Sequence, residues 1–583
     1  MTTKVSPPSN ARGSPPSLGY QPGTPRDTVK DEVSLPGIPL FLEARSHALT
    51  VPNKAAIIDT SRNETFTYPQ LLNDAAMFMT EIQKLLRSSN DPSILPSEEP
   101  RVAYLVPPGY DYVVVQWAIW AAGAICVPLC TSHPIKELQH TISDSDPSLI
   151  ILYPSFQKLK GGLRARRPET PIMVMTPVPK LPTTKSMSLT LPRFSASFPL
   201  SRRAMMIYTS GTTSRPKGCV TTHSATTFQT RSLVEAWGYS RADHLIHVLP
   251  LHHVHGIVNG LTATLLAGGT VEMHSTFDPK IVWDRWSEKG SSTMFMAVPT
   301  VYARLIEYFD TRIRGDPFES VAREGAKSLR LVVSGSAALP VSIKRNFHEI
   351  TGHELLERYG MTEVGMALSC GLDSNKRIDG SVGWPLPDVQ VRLVDPETSK
   401  IITLSGNEEA AGLLEIKGPN LFAEYFRQPS ATAESFTQDG WFKTGDVARR
   451  DAGGAYFILG RESVDLIKSG GYKISALEVE KKILGNARLC SIVDEVVVVG
   501  VNDADWGQRV AAIVKMKMKD RAHATSPRSD PDLDLATLRT CLREDMAPYK
   551  MPTILKVADS IERNAMGKVD KKQIIKKHFG PKL

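Results

Sequence analysis

Short apolar runs alternate with longer amphipathic stretches along most of the chain. Arg101 to Val106, Ser148 to Tyr153 and Leu329 to Val333 read as buried strands, since a strand covered on both faces needs no polar alternation. Tyr68 to Leu86 and Thr300 to Phe309 carry helical spacing. This alternation predicts an α/β fold of stacked layers with largely parallel sheets. Tyr112 to Cys130 is the one stretch apolar enough to suggest a membrane span. Gln116 interrupts it, and Gly123 and Pro128 break it near its end. It therefore predicts a buried helix leading into a short strand over Gly123 to Pro128, and no transmembrane segment. A second boundary is suggested near Gly460 and Arg461. Beyond it, strands over Glu495 to Gly500 and Val510 to Lys515 lie among helical stretches, which predicts a small α+β unit. Residues 1 to about 35 are rich in Pro, Ser and Gly, without apolar periodicity, and are expected to be disordered. The expected division is a disordered segment over 1–35, a large multilayer α/β domain over 36–460 and a small C-terminal domain over 461–583. No internal repeat is evident.

Composition changes this picture little. The 583 residues are 41% hydrophobic and 22% charged, as expected of a globular protein large enough for more than one domain. A net charge of +8 is small for this length and does not argue for a nucleic-acid partner, although Lys568, Lys571, Lys572, Lys576 and Lys577 crowd the C-terminus. The six cysteines form no C-x-x-C pair and have no histidine at metal spacing, which predicts reduced thiols inside a cell. Two addresses are hinted at. Lys4, Arg12 and Arg26 precede the first acid, Asp27, as in a transit peptide, and the chain ends Pro581-Lys-Leu583, one residue from the peroxisomal Ser-Lys-Leu.

The chemistry begins at Tyr208-Thr-Ser-Gly-Thr-Thr-Ser-Arg-Pro-Lys-Gly218. Hydroxyls, glycines and one terminal lysine can wrap a polyphosphate with backbone N–H groups, O–H groups and a point positive charge. The spacing is not that of a Walker A loop, because Gly218 follows the lysine. Three more segments stand in order behind it: Glu357-Arg-Tyr-Gly-Met-Thr-Glu363, Gly440-Trp-Phe-Lys-Thr-Gly-Asp446 with Arg461 fifteen residues on, and Asn564-Ala-Met-Gly-Lys-Val-Asp-Lys571.

Together these segments resemble the adenylate-forming enzymes: acyl-CoA synthetases, firefly-type luciferases and peptide-synthetase adenylation domains. The resemblance runs from about Phe41 to Phe579. It implies a large N-terminal domain and a small mobile C-terminal lid. It further implies that Thr209, Ser210, Gly211, Thr212, Thr213, Ser214 and Lys217 hold the ATP phosphates. Within Glu357, Arg358, Tyr359, Gly360, Met361 and Thr362, it gives Tyr359 to adenine and Thr362 to the α-phosphate. Glu363 would bind Mg²⁺, a hard cation that takes carboxylate and phosphate oxygens. Asp446 and Arg461 would hold the ribose. Lys568 would bridge the substrate carboxylate and the α-phosphate, where a point charge offsets the negative charge of the transition state. Lid rotation would then remove Lys568 and admit CoA beside Ser469 and Gly470. The hinge position, usually Asp or Lys, is Ser463 here.

The acid is narrowed by Leu249-Pro-Leu-His-His-Val-His-Gly256, by Val298-Pro-Thr-Val-Tyr-Ala-Arg304 and by Val333-Ser-Gly-Ser-Ala-Ala-Leu-Pro340. These most resemble the malonate–CoA ligases, especially the eukaryotic acyl-CoA synthetase family member 3 type. His255, Ser334 and Gly335 would line the acyl pocket. Arg304 would meet the second carboxylate of a dicarboxylic acid, or else pair on the surface with Glu307 or Asp310. Bacterial malonate ligases carry a further arginine where this chain reads Leu265-Leu-Ala-Gly-Gly269. The expected function is an ATP-, Mg²⁺- and CoA-dependent acid–thiol ligase making malonyl-CoA. The alternatives are a medium-chain or aromatic acyl-CoA ligase, an adenylating enzyme that loads a carrier protein in trans, and a nucleotide-binding protein without catalysis. By resemblance the compartment would be mitochondrial; peroxisome and cytoplasm stay open.

Overall fold

The computed structural model describes residues 33–88, 99–179, 190–195, 198–209, 216–288, 290–404, 408–470, 472–517, 533–563 and 569–580. Two large sheets carry the first part of the chain. The nine-stranded sheet runs Trp384–Pro385, Gly365–Ser369, Leu356–Met361, Leu331–Ser334, Met294–Ala297, His244–His247, Thr270–Met273, Ala55–Asp59, Glu64–Thr67. Its strands from Leu356–Met361 to Ala55–Asp59 are parallel, and antiparallel strands close both edges. The seven-stranded sheet runs Glu424–Tyr425, Lys217–Thr222, Arg203–Thr209, Ile125–Pro128, Arg101–Leu105, Leu149–Leu152, Ile172–Val174. It too is parallel in its interior, with an antiparallel edge. The apolar runs at Arg101–Leu105, Leu149–Leu152 and Leu331–Ser334 are buried throughout, as strands covered on both faces should be.

One continuous core joins the two sheets. The Tyr110–Ala121 helix lies in it with all twelve residues buried and leads into the Ile125–Pro128 strand. Its apolar character therefore comes from burial between protein layers. Among the described residues, no helix is long and apolar enough to cross a membrane.

Three features depart from the sequence reading. Ser34–Leu35, at the end of the segment expected to be disordered, pair in parallel with Arg193–Phe194, and Leu35 is buried. A four-stranded antiparallel sheet, Gln390–Val394, Ala410–Lys417, Phe442–Arg450 and Tyr456–Arg461, was not expected. Its strands mix buried and exposed positions, so no apolar run announces them. The Thr-Gly-Asp within Gly440 to Asp446 accordingly lies in a strand.

The chain passes from Tyr456–Arg461 directly to Leu466–Ser469, the first strand of a five-stranded sheet completed by Tyr472–Ser475, Val493–Asp503, Gly507–Met516 and Ile554–Val557. Helices Ala476–Gly485 and Leu535–Leu542 share one apolar cluster with this sheet, and Lys571–Phe579 a second. This is the small α+β unit expected at the C-terminus.

Candidate active site

Three of the four motifs converge. The Arg203–Thr209 and Lys217–Thr222 strands form a hairpin in which Thr209 stands opposite Lys217, and Thr209 Oγ1 donates to the Lys217 carbonyl at 3.5 Å. Ser210, Gly211, Thr212, Thr213 and Ser214, which connect these strands, lie outside the described residues. On the outer side of Lys217–Thr222, Tyr425 pairs with Cys219 and turns its ring under Lys217, whose Nζ lies 4.8 Å from the ring centroid. The Tyr425 hydroxyl donates to Glu363 Oε1 at 2.8 Å. Tyr425 thus ties the lysine of the first motif to the acid of the second, a link no sequence signal revealed. Burial, reinforced by the Glu363 charge, pushes the Tyr425 phenol far up, so it stays a donor.

Asp446 is held from two sides. The Tyr359 hydroxyl donates to its Oδ2 at 2.5 Å, and Arg461 Nε lies 3.1 Å from its Oδ1. Asp446 and Arg461 are cross-strand neighbours in the antiparallel sheet, which explains how residues fifteen apart meet. Gly360 lets the strand bend here: a Cβ at that position would lie 2.1 Å from the Gly365 carbonyl oxygen. Thr362 is half-buried between Met361 and the buried Glu363.

On the other side of the Leu356–Met361 strand lies a second cluster. Arg358 is buried, and its Nη2 donates to Ser336 Oγ at 3.0 Å. Ser336 Oγ is 3.3 Å from His255 Nδ1. Arg358 Nε, His255 Nε2 and Ser334 Oγ are all buried without a protein partner, and no carboxylate reaches Arg358 among the described residues. Burial draws Arg358 down to about 9 and His255 well below its ordinary value; the Arg358 charge adds to the effect on His255. Gly335 makes room for the guanidinium, since a Cβ there would stand 2.5 Å from Arg358 Nε. His255 opens a π-helical stretch, His255–Thr262, a wide turn frequent at functional sites. Ser334 and Ala297 end parallel strands, so the cluster sits at their carboxyl edge, where open α/β sheets bind ligands.

Other expected site residues stand apart from these clusters. Arg304 lies on the Pro299–Tyr308 helix with its side chain exposed and its guanidinium 5.1 Å from the Phe277 ring centroid; it has no ion pair with Glu307 or Asp310. Glu357 points away from Arg358, toward Lys344 at 3.9 Å. Ser469 and Gly470 form the tip of the Leu466–Ser469 and Tyr472–Ser475 hairpin, with Gly470 at φ +55° and its N–H donating to the Trp506 carbonyl. Lys568 lies outside the described residues, as do 1–32 and Pro581 to Leu583.

The chain matches the family model "AMP-binding enzyme" over residues 44–426 and "AMP-binding enzyme C-terminal domain" over 486–568. It is 40% identical to the Xenopus laevis protein named malonate–CoA ligase ACSF3, mitochondrial, over 96% of each chain. The human protein of that name is 39% identical over 92% of each chain. Among solved structures, ATP-bound MatB from Rhodopseudomonas palustris superposes with a TM-score of 0.75 at 29% identity, covering 93% of this chain and 99% of its own. A malonyl-CoA ligase with methylmalonyl-CoA and AMP bound superposes with a TM-score of 0.59 at 33% identity, over 89% and 99%. The chain belongs to the AMP-binding enzyme family.

Proposed function

We propose that the protein is an ATP-dependent acid–thiol ligase that converts malonate to malonyl-CoA through an acyl-adenylate. The observation that carries the choice of acid is Arg358, a buried guanidinium with no carboxylate partner. A buried cation left unpaired is costly, and a substrate's second carboxylate would relieve it. Ser334, Ser336 and His255 add polar atoms around the same point. A monocarboxylic acid would leave Arg358 as it is. The relatives named malonate–CoA ligase support this reading. Arg304, exposed midway along its helix, would be a second contact on turning inward.

The remaining roles follow the family resemblance. Thr209 to Ser214 and Lys217 would hold the phosphates, Tyr359 the adenine, Asp446 and Arg461 the ribose. Thr362 would contact the α-phosphate. Among the described residues no group of three or more His, Cys, Asp or Glu can hold a metal. A cation here would take Glu363 and complete its shell from phosphate oxygens, which fits Mg²⁺. When bound, Mg²⁺ would neutralise charge on the phosphates. In the first half-reaction a carboxylate oxygen attacks the α-phosphorus and pyrophosphate leaves, with Lys568 stabilising the charge that builds there. In the second, the CoA thiolate attacks the acyl carbon and AMP leaves, with CoA entering beside Ser469 and Gly470. The boundary between the two domains would fall at Arg461, with Ser463 as hinge. The mitochondrial relatives favour the mitochondrion over the peroxisome.

The test is CoA-dependent AMP formation with malonate, methylmalonate, acetate, octanoate and 4-coumarate. Malonate is expected to lead. Arg358→Ala should lower kcat/KM for malonate by the loss of a buried charge pair, about 2–5 kcal/mol or roughly thirty-fold and more, while acetate changes little. Preference for octanoate or 4-coumarate would keep the chemistry and overturn the acid.

A further inference from the structure

One side chain at the edge of the seven-stranded sheet reaches two of the motifs at once. The Ala423 and Phe426 N–H groups donate to the Val220 and Gly218 carbonyls, each at 2.8 Å, which holds the Glu424–Tyr425 strand against Lys217–Thr222. On its other side the Phe422 N–H donates to the Glu363 carbonyl at 2.8 Å, and Asn420 Nδ2 to the Val364 carbonyl at 2.6 Å. Segment 420–426 is thus stitched between the strand that carries Lys217 and the turn that carries Glu363. Phe422 backs the Tyr425 ring edge-on at 4.8 Å, and both are buried. Backbone and packing together fix where Tyr425 stands. Its side chain then turns two chemically different parts to two partners, the ring face to Lys217 Nζ and the hydroxyl to Glu363 Oε1.

Both contacts act on groups with freedom to lose. A carboxylate rotates about its last bond, and a hydroxyl bonded to one oxygen fixes the direction in which the other is presented. Removing such an outer partner of a metal-binding carboxylate changes metal affinity by about 10–100-fold. A lysine ammonium rides on a flexible four-carbon stem, and the negative face of an aromatic ring favours one of its many positions. The two contacts are separable, because the hydroxyl can be removed with the ring left in place.

We propose that Tyr425 is a positioning residue for nucleotide binding, aiming the Glu363 carboxylate with its hydroxyl and the Lys217 ammonium with its ring, so that both are in place when a metal-bound polyphosphate enters. Tyr425 acts through these two residues, and its role rests on the reading of Glu363 as the metal carboxylate and of Lys217 as a phosphate contact.

The test measures binding of α,β-methylene-ATP, whose α–β bridge cannot be cleaved, to the full-length protein by calorimetry. One titration has Mn²⁺ in place of Mg²⁺, saturating the nucleotide, and the other has EDTA. Tyr425→Phe keeps the ring and removes the hydroxyl. Its binding with Mn²⁺ should weaken roughly ten-fold, while its binding in EDTA stays within about two-fold of the parent. Tyr425→Leu removes both parts, and its binding in EDTA should weaken about three-fold or more. Adenosine, which has no phosphates, should bind both variants as it binds the parent, since Tyr359, Asp446 and Arg461 are untouched. Tyr425→Phe binding the Mn²⁺ complex as tightly as the parent, or Tyr425→Leu matching Tyr425→Phe in EDTA, would overturn the proposal. So would a matching loss of adenosine binding in Tyr425→Phe, which would make the hydroxyl part of the general framework. Glu363→Gln is expected to abolish the gain in affinity that Mn²⁺ brings. If it keeps that gain, Glu363 is not the metal carboxylate, and the role of Tyr425 falls with it. If it loses the gain while Tyr425→Phe keeps it, the role of Tyr425 alone falls.

Discussion

A Cβ on Gly335 would stand 2.5 Å from Arg358 Nε and 2.6 Å from its Cζ, far inside contact distance. Gly335 is not among the residues at positive φ, so alanine meets no backbone objection there and its effect is purely steric. The guanidinium has to swing aside, giving up Ser336 and its place beside His255. Overpacking of this kind costs about 1–3 kcal/mol. Gly335→Ala is therefore expected to raise KM for malonate roughly ten-fold or more while leaving the acetate reaction and the apparent KM for ATP nearly unchanged. Steady-state AMP formation with each acid checks this. An equal loss for malonate and acetate would mean that the glycine serves the adenylation chemistry and that Arg358 is not the specificity residue.

The Leu356–Met361 strand shows how one element feeds two side-chain clusters. Successive side chains leave a strand on opposite faces, so Arg358 faces Ser336 while Glu357 faces Lys344 and the field of Lys481. Burial raises the Glu357 carboxyl to about 7, against the pull of Lys344 and Lys481. The sign follows from the raised value: the folded protein holds this proton more tightly than the unfolded chain. Stability from the group is complete below the ordinary 4.5 and is lost as pH rises through about 7. Denaturant unfolding at pH 5 and pH 8 should show a loss on the order of 3 kcal/mol that Glu357→Gln largely removes. An identical pH dependence in the variant would refute it. The same strand marks the limit of what sequence conveys. Its motif was legible, as were the buried parallel strands and the Tyr110–Ala121 helix, because burial on all sides writes itself as unbroken apolar text. The antiparallel sheet was not, since Phe442–Arg450 mixes Lys443, Arg449 and Arg450 with buried positions. Nor was Tyr425, whose partner Glu363 lies 62 residues away and meets it only through strand pairing. Arg358 was read as part of the nucleotide segment. Its unpaired burial is a property of three elements folding together, invisible in one string.

At the scale of the whole molecule, the large domain and the small C-terminal one are joined by a short junction. Only 462–465 separate the strand that ends at Arg461 from the first strand of the small sheet. That junction is pinned: the Asp465 N–H donates to the Arg461 carbonyl at 2.8 Å, and the Arg461 N–H to Asp465 Oδ2 at 3.0 Å. Lys571 Nζ reaches the same Asp465 at 2.7 Å and Glu480 at 2.8 Å from a buried position. Lys571 is three residues beyond Lys568, and Arg563 pairs with Val569 across the intervening segment. Lys571, the last residue of the C-terminal motif, is thus anchored to the stretch that also carries Arg461, the partner of Asp446. A rotation about Ser463 would carry Lys568 away as one body with its anchor, which is what two successive reactions at one site require. The consequence is a separable defect. Lys568→Ala should slow pyrophosphate release from ATP and malonate by about 10²–10³-fold, the usual loss when a charge-stabilising group is removed. The same variant given chemically prepared acyl-AMP and CoA should form the thioester within a few-fold of the normal rate, because on the proposed mechanism that step follows the departure of Lys568. Loss of both half-reactions together would place Lys568 in the common framework of the site and end the case for alternation. Loss of neither would remove it from the chemistry altogether.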